Sequence, residues 1–147
     1  MGHVAGKSAR LDLQRRLDRM PIGSPMHRAF VDILGELFTE EECRVAAAIP
    51  FRPATLERVA TAAFVATDRA RRVLDTLADK GLVVDLPRDD GSTLYHLNPA
   101  IIGFFEFTMM RVREDVDQTR VAGLMWEYLR GDPERLARFE QEARAAA

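Results

Sequence analysis

The sequence predicts a mostly α-helical chain carrying one small β-hairpin, and three observations carry that prediction. Apolar residues recur at helical spacing in successive segments from Ser8 to Arg130. Between Thr55 and Leu97, two short helical patterns meet at a tight turn and are followed by two strand patterns around a polar loop. Gly81 stands between the second helix and the first strand, where a helix C-terminus favours glycine.

Taken in order, Ser8 to Met20 reads as a first helix, with Leu13, Leu17 and Met20 at i, i+4, i+7. Pro21 to Pro25 breaks it. A second helix, Met26 to Phe38, places Phe30, Ile33, Leu34, Leu37 and Phe38 on one stripe. Thr39 opens a third helix. With Glu42 it matches a capping box, in which hydroxyl and carboxylate satisfy free backbone N–H groups, and Glu40 and Glu41 suit the positive end of the helix dipole. That helix ends before Pro50, and Phe51-Arg52-Pro53 reads as a linker.

Thr55 caps a fourth helix with Leu56, Val59, Ala60 and Ala63 in helical register. Phe64 to Ala66 is the turn. Thr67 is the expected N-cap of a fifth helix, whose buried face is Ala70, Val73, Leu74 and Leu77. Leu82–Leu86 and Thr93–Leu97 are the strands, joined by Arg88–Ser92. The segment Ile101–Met110 is the most apolar of the chain. A helix over Asp117–Arg130 presents Val121, Leu124, Met125, Tyr128 and Leu129, and Asp132-Pro133-Glu134 begins a last one. One domain over 1–147 follows, with a helical extension (1–25), a core (26–98) and a C-terminal helical segment (99–147).

Composition narrows the function classes. The chain has 147 residues, a net charge of -2 and one cysteine, Cys43, which excludes an intrachain disulfide or a four-cysteine metal site. No apolar run reaches the length of a membrane span. A cytoplasmic setting fits. His3, His27 and His96 are scattered, and no phosphate-cradling loop, nucleophile elbow or dinucleotide fingerprint is present. No catalytic residue, metal or cofactor is therefore expected, and Cys43 reads as a small core hydrophobe.

Helix, turn, helix and hairpin together are the pattern of a winged helix-turn-helix, whose second helix ordinarily reads DNA. The candidate contacts are Thr67, Arg69, Arg71, Arg72 and Thr76 on that helix, with Arg88 and Ser92 in the hairpin loop. The opposing signal is Asp68, Asp75 and Asp79, set around Arg72 on the outward face. Asp68 and Asp75 stand at spacings that favour ion pairs within the helix. The apolar segment and the helix after it supply a candidate homodimer interface at Phe104, Phe105, Met109, Leu124 and Tyr128, although packing within one chain accounts for the same residues.

LDTLADKGLV followed by a polar hairpin resembles the winged-helix regulators of the multiple-antibiotic-resistance and arsenic-repressor types. A longer likeness runs through RLDRMPIGSP (Arg16–Pro25), LGELFTEEECRVAAAIPF (Leu34–Phe51), LADKGLVVDL (Leu77–Leu86) and GFFEFTMMR (Gly103–Arg111). These resemble the N-terminal winged-helix-like region of bacterial ferredoxin-type 4Fe-4S proteins, without their cysteine cluster motifs. The resemblances imply a binding module. The leading expectation is a DNA-binding, transcription-regulator-like protein acting on double-stranded DNA. The alternative is a protein-interaction or regulatory module of an iron–sulfur electron-transfer partner that does not bind DNA.

Overall fold

The structure, a computed structural model, describes residues 2–131 together with Ala137 and Gln141. The last helix expected from Asp132 therefore falls almost wholly outside the described residues. The elements are α1 (Gly2–Asp18), α2 (Arg28–Leu37), α3 (Glu40–Ala47), β1 (Ala54–Thr55), α4 (Leu56–Ala63), α5 (Thr67–Asp79), β2 (Val83–Pro87), β3 (Thr93–Leu97), α6 (Phe105–Met109) and α7 (Gln118–Arg130). A π-helical turn over Ala100–Phe104 leads into α6. Helices α3, α4 and α5 with the antiparallel sheet β1-β3-β2 form a winged helix. Helix α1 packs on α3, and α7 on α2.

The caps follow the sequence in most places. Thr39 Oγ1 accepts the Glu42 N–H and Glu42 Oε2 accepts the Thr39 N–H, completing the capping box. Thr55 caps α4 and Asp117 caps α7. Three starts differ from expectation, the first being α1, which runs from Gly2 to Asp18 instead of from Ser8 to Met20. Helix α2 begins after His27, whose Nδ1 accepts the Ala29 N–H, so Met26 lies outside the helix and is half exposed. The N-cap of α5 is Ala66, which has no side chain to offer, and Thr67 is already helical. The chain enters α5 from the left-handed Phe64 (φ 57) through Val65, and this tight turn displaces the start by one residue.

Helix α5 ends in a Schellman motif: Gly81 donates to Ala78 and Leu82 donates to Leu77, with both leucines buried. Gly81 has φ +79, and a Cβ there would lie 2.6 Å from the Cβ of Phe107. Two penalties therefore fall on Gly81→Ala, and a loss of about 2 kcal/mol in urea unfolding is expected. Gly91→Ala, at φ +81 but with nothing near its missing Cβ, carries the backbone penalty alone. Equal losses at the two glycines would refute the contact with Phe107.

The sequence predicts a linker at 51–53 leading into α4, and the structure adds the short strand β1. Ala54 and Thr55 pair with Tyr95 and Leu94. Two residues are too short for an alternation to register, and only β3, forty residues on, makes them a strand. Arg16 is a second long-range feature. Buried at 4 % exposure, it donates to the carbonyls of Ile49 and Pro50 and stacks on Phe51, so α1 caps the end of α3. Burial lowers its pKa from the ordinary value.

Buried apolar residues from Ala9 to Tyr128 form one cluster. Phe30 stacks on Tyr128 at 4.9 Å between ring centroids and meets Phe105 at 6.1 Å, which joins α2, α6 and α7. Cys43 is fully buried and its thiol is pushed up to about 12 by desolvation, so it stays protonated and unreactive at neutral pH.

Candidate functional site

Helix α5 buries Ala70, Val73, Leu74 and Leu77, as its spacing requires, and leaves Asp68, Arg69, Arg71, Arg72, Asp75, Thr76 and Asp79 exposed. The outward face is therefore the one read from the sequence. Its electrostatics depend on partners that the sequence only partly revealed. Arg72 pairs with Asp68 at 3.4 Å, the expected i,i+4 contact. Arg69 instead makes a bidentate bond to Glu41 of α3, at 2.9 and 2.6 Å. That hydrogen bond holds the Glu41 carboxyl below its ordinary value, and Glu41 in turn raises the Arg69 guanidinium.

Thr76 donates its hydroxyl to the Arg72 carbonyl one turn back. In the wing, the Ser92 hydroxyl donates to Asp90 Oδ1 at 2.5 Å, and the Ser92 N–H donates to the same oxygen at 2.9 Å. These two bonds hold Asp90 below its ordinary pKa. Thr67 is exposed in the first turn of α5. Among the described residues, Arg71 and Arg88 make no ion pair within 4 Å. The structure thus leaves two of the candidate arginines unpaired and engages the other two.

The balance of charge decides what this surface attracts. Asp68, Asp75 and Asp79 share α5 with Arg69, Arg71 and Arg72, and Asp85, Asp89 and Asp90 share the hairpin with Arg88, but only Glu41 and Asp68 form ion pairs with these arginines. A surface that binds phosphates carries an excess of free guanidinium and ammonium groups, and here carboxylates hold two of the four candidate arginines. The signal for Glu41 was the Glu40-Glu41-Glu42 run. Helix-dipole chemistry explained that run locally, and nothing in it pointed to Arg69, twenty-eight residues away.

Below this face lies an ion pair that fixes it. Lys80 Nζ lies 2.6 Å from Glu42 Oε2 and donates to the Leu37 carbonyl at 3.1 Å, with both side chains largely buried. Glu42 thus caps α3 and anchors the end of α5 with one carboxylate.

The candidate dimer residues divide. Phe104, Phe105 and Tyr128 are buried within the chain's own core, through the ring contacts with Phe30 and Phe38. They cannot face a second copy without opening that core, which corrects their assignment. Leu124 is half-buried and Met109 exposed. The exposed large apolar residues of this region are Phe107, Met109, Met110 and Val112, with Trp126 on α7. Phe107 and Met110 flank a groove of about 490 Å³ between the end of α5 and β2. Spacing alone did not separate these from the inward-facing phenylalanines, because the π-helical turn shifts the register just before α6.

Among the described residues, no three His, Cys, Asp or Glu side chains are placed to hold a metal ion, and no helix is long and apolar enough to cross a membrane. No protein-family model and no curated protein matches the chain. The crystal structure of wild-type MarR in its apo form from E. coli aligns with 98% of this chain and 92% of its own, at 18% identity and a TM-score of 0.34. Nothing in these comparisons supports the likeness to ferredoxin-type proteins.

Proposed function

We propose that this winged helix is a non-enzymatic binding module that engages a protein partner rather than the DNA duplex. The observation that carries the reading is the charge of its outward face. Arg69 is held by Glu41 and Arg72 by Asp68, and the hairpin presents Asp85, Asp89 and Asp90 beside one arginine. Exposed pairs of this kind add little stability, yet they remove the positive excess that draws a protein onto phosphates. The half-exposed Phe107 and the exposed Met110 point the same way, since apolar surface beside a groove suits a protein contact.

Fluorescence anisotropy with labelled random duplex DNA tests this. No saturable binding is expected at about 50 mM salt, where phosphate contacts are strongest. A regulator of DNA is the second reading, favoured by the unpaired Arg71 and Arg88 and the exposed Thr67 at the head of α5. It would prevail if binding appeared, fell steeply by about 200 mM salt, and was lost in the Arg71→Ala, Arg88→Ala double variant.

A further inference from the structure

We infer that the free edge of β2 is a docking site for an extended, basic peptide segment of a partner protein, which adds as a fourth strand in the groove beside Phe107 and Met110. The inference rests on the protein-binding reading above and names the kind of partner.

The edge follows from the register. Strand order β1-β3-β2 leaves β2 paired on one side only. The Arg88 N–H donates to Ser92 and the Asn98 N–H to Leu82, so the hydrogen-bonded positions against β3 are Leu82, Val84, Leu86 and Arg88. Val83, Asp85 and Pro87 therefore turn their backbone groups outward. Pro87 fits this phase, because a proline is tolerated in a strand where its nitrogen faces away from the ladder. It also removes one donor and limits the free N–H groups to Val83 and Asp85.

No hydrogen bond to the outward groups of either residue occurs among the described residues. Val83 is buried and Asp85 exposed, so Asp85 is the accessible part of this edge. An extended peptide that adds as a strand is the structure that pairs with the outward backbone groups of such an edge.

Charge selects the occupant. Asp79 and Asp85 line the groove, and neither has an ion-pair partner within 4 Å among the described residues. The guanidinium of Arg111, the one cation lining it, donates to the carbonyl of Asp79. An extended segment with basic side chains answers the two carboxylates, and its apolar side chains meet Phe107 and Met110. The groove volume falls within the roughly 300–1,000 Å³ of ligand clefts.

The test uses fluorescein-labelled Lys-Val-Lys-Val-Lys-Val, followed by anisotropy and by the amide signals of Val83 and Asp85 in 15N NMR spectra. Binding with shifts at both amides is expected. Two comparisons are each expected to weaken it by about fivefold or more, the scale of one lost hydrogen bond or charge contact. One is Glu-Val-Glu-Val-Glu-Val, and the other is Lys-Val-Lys-Val-Lys-Val methylated at every backbone nitrogen, which keeps the charge but has no N–H to donate on either edge. On the protein side, Asp85→Pro removes an outward N–H without touching the β3 ladder, and Asp85→Asn removes the charge alone if the proline variant fails to fold. Equal binding of the three peptides, or shifts confined to α5, would overturn the inference while leaving the protein-binding reading intact. A dimer in sedimentation that Asp85→Pro dissociates would assign the edge to a second copy and overturn it as well. Salt-sensitive DNA binding would instead strike the underlying reading.

Discussion

Replacing Lys80 with methionine is expected to lower the free energy of unfolding by about 3 kcal/mol, the cost of leaving a buried charge without its partner. Glu42 remains in place in that variant, nearly enclosed and deprived of the ammonium 2.6 Å away, and the Leu37 carbonyl loses its donor too. Methionine fills much of the same space, so little of the loss comes from a cavity. Glu42→Gln should cost less, because the amide oxygen still accepts the Thr39 N–H of the capping box. The double variant Lys80→Met, Glu42→Gln should then recover much of the first loss, since no unpaired charge is left. Urea unfolding of the four proteins forms a double-mutant cycle. Additive losses would show that the two side chains do not act as a pair. The effect bears on function because this pair fixes where α5 ends against α3, and with it the orientation of the face carrying Arg71 and Arg72.

Phe30→Ala should cost about 4 kcal/mol, the range for emptying a buried aromatic site. Phe30 is fully enclosed, and its ring holds Tyr128 on one side and Phe105 on another. Tyr128 in turn donates its hydroxyl to the Pro25 carbonyl, so the substitution loosens α7, α6 and the segment before α2 together. Thermal or urea unfolding reads it directly. Met26→Ala, just before α2 and half exposed, should stay within about 0.5 kcal/mol. A Phe30 loss below about 2 kcal/mol would mean that the C-terminal helices pack there only loosely.

Much of this molecule was legible in the residue order. Gly81 marks the end of α5 because a left-handed residue closes a Schellman motif, and β3 runs over Thr93–Leu97 as alternation and the polar loop require. Thr39 with Glu42, and Thr55, declared their caps because a capping hydroxyl acts within three residues. The buried face of α5 was also legible, since helical periodicity is a local property.

The candidate site was legible only as a set of residues. Arg69 is exposed on α5 as its position dictates, but its bond to Glu41 needs α3 and α5 side by side. Phe104 and Phe105 turn inward and Phe107 outward because a π-helical turn sets the phase of α6, a decision made by packing against Phe30 and Phe38.

By itself, then, the sequence determined the winged helix, its caps and the identities of its exposed side chains, all of which depend on neighbours within a few residues. Only the tertiary structure decided which arginines are neutralised, which phenylalanines are core, and which strand edge stays open. Coulomb attraction, burial and strand pairing act through space, between residues the chain order keeps far apart.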